Sequence, residues 1–185
     1  MELEQKQPEF VLAIDPALST TGYAVININT LELVYINKFT TSFKDSDDFR
    51  INQIVTELFH IAKQYSVKYI ALENGFLGVN AKTTIQLATL RGAIIGVFNF
   101  NQYYVHYMLP TQIRKVLGCG GNAKKEQIAE EIIKLYPNNK KLNDIGPYSD
   151  KQNKNKTSDI YDAISIGIAF IKSQQGGGTN EWIFY

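Results

Sequence analysis

The rhythm of hydrophobic and polar positions changes several times along this chain, and each change marks an element. Phe10-Val11-Leu12-Ala13-Ile14-Asp15 is an apolar run stopped by Asp-Pro, so residues 9–15 read as a buried strand leading into a loop. Residues 22–28, Gly-Tyr-Ala-Val-Ile-Asn-Ile, form a second strand. Residues 31–40 alternate apolar with polar, Leu33, Tyr35 and Phe39 marking a third. The short connections between these runs predict an antiparallel meander. Ser46-Asp47-Asp48 then opens a helix, with Ile51, Ile54, Val55, Leu58, Phe59 and Ala62 at helical spacing.

Further along, residues 67–73 form a strand and 75–79 a loop. One long helix is expected from Ala81 to about Asn99, with Ile85, Leu87, Ala88, Leu90, Ile94, Ile95 and Phe98 as its apolar positions. Residues 102–109 are an aromatic-rich strand that stops at Pro110-Thr111, where a short helix begins. Gly118-Cys119-Gly120-Gly121 breaks that helix and residues 123–136 form another. Residues 137–157 are rich in Asn and Lys without an apolar period, and read as a loop. A last helix spans 158–173, and Gly176-Gly177-Gly178 links it to an aromatic tail, Trp182-Ile183-Phe184-Tyr185. The order of elements is that of an α/β protein with a mixed sheet. A single domain over residues 1–175, with 176–185 as a flexible appendage, is expected.

Composition changes this picture little: 185 residues, 44% hydrophobic and 20% charged, suit one ordinary globular domain with a real core. No apolar run is long enough to span a bilayer, and the polar, acidic N-terminus is unlike a secretory signal. The lone Cys119 rules out an intrachain disulfide and a cysteine-based zinc site. An intracellular, cytoplasmic setting is the expectation. His60, in a helical apolar pattern, and His106, in an aromatic strand, read as structural.

Charge is spread unevenly despite a net of +1. Residues 1–73 carry a balance of −4, residues 74–157 of +7 and residues 158–185 of −2. An acidic cluster beside a basic segment suits a metal-dependent enzyme acting on a polyanion, and equally an ordinary solvated surface.

Four carboxylates decide between those readings. Asp15 ends the first strand and Glu73 ends Tyr69-Ile70-Ala71-Leu72, while Asp159 and Asp162 stand three apart on one face of the last helix. Each has a simpler explanation alone. Asp before Pro forms turns, Glu73 can pair with the basic residues that follow it, and acids in a first helical turn serve as caps or meet the helix dipole. Together they present four hard oxygen donors that are costly to bury without a cation, a set suited to Mg²⁺ or Mn²⁺ and phosphoryl chemistry.

The same residues carry a family resemblance. Val11-Leu12-Ala13-Ile14-Asp15-Pro16 followed by Thr21-Gly22-Tyr23-Ala24-Val25-Ile26, then Leu72-Glu73-Asn74-Gly75-Phe76, Leu90-Arg91-Gly92-Ala93 and Asp159-x-x-Asp162-Ala163 resemble RuvC-type Holliday junction resolvases. The motifs extend from about residue 10 to 173 in the family's order and at similar separations. The resemblance implies an RNase H-like fold with a mixed five-stranded sheet flanked by helices, a homodimer, and Mg²⁺- or Mn²⁺-dependent cutting of four-way DNA junctions. It makes Asp15, Glu73, Asp159 and Asp162 the catalytic metal ligands. Phe76 falls where an aromatic contacts unstacked bases, although its loop position also suits a core residue. Lys125 falls where the family carries a catalytic-site lysine, with Lys124 its alternative because Gly118-Cys119-Gly120-Gly121-Asn122 is about one residue longer than usual; Arg114 matches a nearby basic position. The 137–157 segment is also longer than is typical, and its Lys151, Lys154 and Lys156 are candidate DNA contacts.

The expected chemistry is hydrolysis of a DNA phosphodiester. One ion would activate water and a second would stabilise the leaving 3′ oxygen, with Asp15 bridging both and Lys125 offsetting phosphate charge. The helix around Leu90–Phe98, with Gly92, Ala93 and Gly96, suits either a dimer face or packing on the chain's own sheet. Rival readings are an RNase H-like nuclease for RNA–DNA hybrids or branched replication DNA, a junction-binding protein without cleavage, and an actin-like ATPase. The last lacks the Gly-rich phosphate loops.

Overall fold

The computed structural model describes residues 9–74, 80–120, 122–150 and 156–175. In chain order it contains β1 (Phe10–Asp15), β2 (Thr20–Asn27), β3 (Leu33–Thr40), α1 (Asp47–Gln64), β4 (Tyr69–Glu73), α2 (Ala81–Phe100), β5 (Tyr104–Met108), α3 (Pro110–Val116), α4 (Lys125–Leu135), α5 (Lys140–Ile145) and α6 (Ser158–Gln175). The five strands form one sheet in the order β3-β2-β1-β4-β5. β1–β2 and β2–β3 are antiparallel, the expected meander, while β1–β4 and β4–β5 are parallel. The sheet is therefore mixed, as its element order implies.

Strand periodicity divides the core in two. On β1, Val11 and Ala13 face one side with Ala24, Ile26 and Ala71, packed under α3, α4 and α6. Leu12 and Ile14 face the other side with Tyr23, Val25, Ile70 and Leu72, under α1 and α2. A strand covered on both faces needs an unbroken apolar run, and residues 11–14 of β1 are all fully buried. Edge strands β3 and β5 carry mixed burial instead.

Helix ends follow local chemistry. Ser46 caps α1 by accepting from the Phe49 amide at 3.3 Å, with Asp47 and Asp48 in the first turn. Asn80 caps α2 by accepting from the Thr83 amide at 3.3 Å. The α2 stripe Leu90, Ile94 and Phe98 is fully buried against the chain's own core. Gly92 and Gly96 are exposed, with nothing within 4 Å of where a Cβ would lie, while Ala93 packs partly against the same core.

One expectation needs correcting. The 137–157 segment is not wholly loop, because α5 lies within it. Asn139 accepts from the Lys141 and Leu142 amides, Leu142 is buried, and Gly146 ends the helix at φ 83°. A six-residue helix anchored by one leucine leaves no apolar period to read. Among the described residues no helix is long and apolar enough to cross a membrane.

Helix α6 lies against β2 and β1, and Gly167 sets how closely. A Cβ there would lie 2.6 Å from Ile26 Cδ1 and 3.0 Å from Ala13 Cβ. Gly167→Ala should therefore overpack this interface and destabilise the protein by about 1–3 kcal/mol. A urea midpoint indistinguishable from wild type would count against such tight α6–sheet packing.

Candidate active site

The fold collects the sequence-distant acids at one end of the sheet. Asp15 and Glu73 terminate the adjacent parallel strands β1 and β4, whose register pairs Ile14 with Leu72. Across the other edge of β1, Asp15 pairs with Gly22 of β2. Gly22 is where the first turn of α6 comes in. A Cβ at this position would lie 1.9 Å from the Asp159 carbonyl oxygen, so only glycine admits the helix there. This approach brings Asp159 and Asp162 into electrostatic reach of Asp15.

Charge crowding is plain in the protonation equilibria. Burial, then repulsion from Asp162 and Glu73, holds the Asp15 carboxyl well above the usual carboxylate range. Glu73 is raised by burial and by Asp162, against the opposing pull of Lys125, Arg91 and Arg114. Burial also raises Asp162, and its ion pair with Lys125 opposes the shift.

Lysine supplies the compensating charge. Lys125, first residue of α4, donates from Nζ to Asp162 Oδ2. Ile128, Ala129 and Ile132 anchor α4 in the core that α6 shares, which fixes that lysine over the acid. Burial would lower the Lys125 pKa, but Asp162 and Asp15 outweigh it and the ammonium is held above its ordinary range. Lys124 instead occupies the N-cap, its amide donating to Gln127 Oε1 at 2.8 Å. Of the two candidate lysines, Lys125 is the one brought to the acids.

Asp159 does not act as a helix cap. Its Oδ1 pairs with Lys156 Nζ at 2.9 Å, while Oδ2 is buried and makes no hydrogen bond among the described residues. Lys156, a candidate DNA contact, thus has its ammonium on an acid. Arg114 lies partly buried in α3 within electrostatic reach of Glu73. Phe76, Lys151, Lys154 and the 176–185 tail lie outside the described residues. His106 is half-buried beside Phe170 and Tyr69, a packing position in which burial lowers its pKa.

The donor set fits a hard divalent cation in chemistry: four carboxylates, two with pKa raised first by burial and then by repulsion from Asp162, and one buried oxygen without a partner among the described residues. Among the described residues no three of them form a closed cage as they stand. They are gathered, with Lys125 holding Asp162, rather than locked around an ion.

Three residues without an assigned role emerge from the folded arrangement. Arg91 of α2 interacts electrostatically with Glu73 and Asp15; the Leu90-Arg91-Gly92-Ala93 motif contained it without assigning it. Tyr148 sits near Asp162 and Lys125 and packs edge-on against Tyr161 at 5.9 Å. Arg50 is buried under the turn that follows Asp15. Its NH2 group donates to the Leu18 carbonyl at 3.1 Å and its Nε to Thr41 Oγ1 at 2.8 Å, while Thr41 Oγ1 donates to the same carbonyl at 2.5 Å. Arg50 also pairs with Asp47, which accepts from Gln86 of α2 at 2.7 Å. Only an arginine in a helical pattern marks this clamp in sequence, and a surface ion pair explains that equally well.

Comparison with known proteins settles the family. The model of the family described as crossover junction endodeoxyribonuclease RuvC matches residues 11–170. The chain belongs to the RuvC family. A RuvC of Helicobacter acinonychis is 32% identical over 168 residues, 85% of this chain and 93% of that protein. One from Ehrlichia ruminantium is 29% identical over 168 residues, 88% of this chain and 96% of that protein. In structure, T. thermophilus RuvC in complex with Holliday junction substrate aligns with a TM-score of 0.71 at 16% identity, covering 91% of this chain and 96% of that one. The fold is the RNase H-like fold of those resolvases. RuvC membership makes this chain a nuclease that hydrolyses phosphodiester bonds, a crossover junction endodeoxyribonuclease, in a family that depends on metal ions in general.

The raised carboxyl pKa values make a signed prediction. The folded state holds these protons more tightly than the unfolded chain, so without metal their contribution to stability falls as pH rises above about 4 towards the raised values. Asp15→Asn should raise the metal-free melting temperature at neutral pH by about 2–4 °C, the shift of about 1 kcal/mol in a chain this size. Its advantage over wild type should shrink towards pH 4, and Mg²⁺ should stabilise wild type more than the variant. A variant that melts below wild type in chelator would refute the crowding.

Proposed function

We infer that this RuvC-family chain resolves four-way DNA junctions by paired symmetric nicks, working as an intracellular homodimer in recombination, repair or the processing of replication intermediates. The observation that carries this reading is the meeting of Asp15, Glu73, Asp159 and Asp162 at one end of the sheet, with Lys125 on Asp162. Residues 1–175 act as one nuclease domain. Asp15, Glu73, Asp159 and Asp162 would hold two divalent ions, Mg²⁺ with Mn²⁺ as a substitute.

Bound there, such ions supply Lewis-acid polarisation of the phosphate and a water of lowered pKa. The chain's own residues do the positioning. Asp15 ends the central strand of the sheet, whose four preceding residues are fully buried, so this ligand is placed on a rigid element. Glu73 approaches from the neighbouring strand, and Asp159 with Asp162 from the helix that Gly22 admits. Lys125, kept cationic through neutral pH, offsets charge on the scissile phosphate or orders the attacking water. Arg91 and Arg114 temper the negative field around Glu73 so that a polyanion can enter. The outer face of α2, where Ala88, Gly92 and Gly96 are exposed, leaves room for the same helix of a second copy to approach closely.

Cleavage of a synthetic four-way junction, a linear duplex and an RNA–DNA hybrid in parallel tests this reading. The junction should be cut with Mg²⁺ or Mn²⁺ and the other two spared. Asp15→Asn and Asp162→Asn should abolish cutting yet keep junction binding. Lys125→Met should lower kcat by about 10²-fold or more with binding retained, and Lys124→Met should cut like wild type. Equal cutting of plain duplex, or full activity in either aspartate variant, would sink the assignment.

A further inference from the structure

Beside the acids runs a second feature that the chemistry above does not use. An open groove of about 580 Å³ lies between β3 and residues 144–149 and 156–160. Asn37 and Lys38 of β3 form one wall, with Ser149 and Lys156 also lining it and Ile145 and Ile160 among its apolar surface. Asp144 is the one carboxylate among its described lining residues. Apolar surface between hydrogen-bonding and cationic groups is what a sugar–phosphate backbone meets in a protein groove.

The groove's wall is hydrogen-bonded into place, and it adjoins the acids through Lys156. The connection is stapled to the first turn of α6: Thr157 Oγ1 donates to the Pro147 carbonyl at 2.8 Å and accepts from the Ser149 amide at 2.7 Å. The Thr157 and Ser158 amides both donate to the Ser149 carbonyl, at 2.9 and 3.0 Å. Tyr161 Oη adds a bond to the Gly146 carbonyl at 3.2 Å. Lys38 Nζ donates to the Lys156 carbonyl across the groove, tying the β3 wall to the same turn. Lys156 belongs to both sites, since it lines the groove while its ammonium holds Asp159.

We propose that this groove binds the sugar–phosphate backbone of DNA on one side of the scissile phosphate, with Lys38 as its phosphate-binding cation and Asn37 at its rim. The proposal rests on the nuclease reading and deepens it, by giving the strand that leaves the carboxylates a defined path along β3. Lys156 holds the acid side of the groove in place, and Lys38 supplies the charge that a phosphate meets.

Affinity for a synthetic four-way junction, measured as Kd against salt in the metal-free protein, tests this. Lys38→Gln should reduce the slope of log Kd against log[salt] by about one, and Lys38→Arg should restore it. Asn37 is exposed on the edge strand, so changing its charge does not disturb the core. Asn37→Glu should weaken binding severalfold at low salt, and Asn37→Lys should tighten it and steepen the slope. Unchanged salt slopes in Lys38→Gln and both Asn37 variants, beside steep junction binding by wild type, would overturn the groove assignment alone. Failure of wild type to bind junctions would overturn the nuclease reading instead.

Discussion

Everything at the active end of this molecule depends on how closely α6 approaches the start of β2. The helix can deliver two aspartates to the sheet only if its first turn overlaps the space a side chain at position 22 would fill. Glycine there, directly across from Asp15, removes that obstacle. Further along, Gly167 repeats the device against Ile26 and Ala13, so the helix is held close to β1 and β2 from its first turn to its middle. Close packing on one face thereby fixes a charged constellation at the end of the sheet.

That constellation is maintained against its own repulsion. Burial and like charge lift Asp15, Glu73 and Asp162, and the protein offsets this with cations drawn from three separate elements: Lys125 of α4, Arg91 of α2 and Arg114 of α3. Such crowding works against stability, as in other sites where strain serves function. Lys125 is a cation in direct contact with one of the acids, pairing with Asp162. Arg50, buried beneath the turn after Asp15, holds the same strand end from below through the Leu18 carbonyl.

Much of this was legible along the chain. Strand alternation and helical periods placed the elements and the mixed sheet, and both strand-end acids were visible because apolar runs stopped at them. The register of motifs across the chain was enough to expect the family. The structure corrected the 137–157 segment, where a short helix held by Leu142 leaves no periodic signal. In α2 it shows Leu90, Ile94 and Phe98 buried in the chain's own core, with Gly92 and Gly96 exposed. Lys156, expected on DNA by its place in a basic loop, has its ammonium on Asp159.

The sequence by itself determined which residues are able to bear chemistry: four acids, a lysine pair and a glycine in the second strand, in an order that local patterning reads directly. Local patterning depends on neighbours within a few positions, so it places each acid at the end of a strand or in the first turn of a helix. Only the tertiary structure decided which charges share a site. Lys125 rather than Lys124 meets Asp162 because α4 packs its Ile128–Ile132 face into the core under α6. Arg91, Arg50 and Tyr148 join the neighbourhood through packing between elements tens of residues apart. Coulombic forces act through space, and sequence separation says nothing of that distance until the chain has packed.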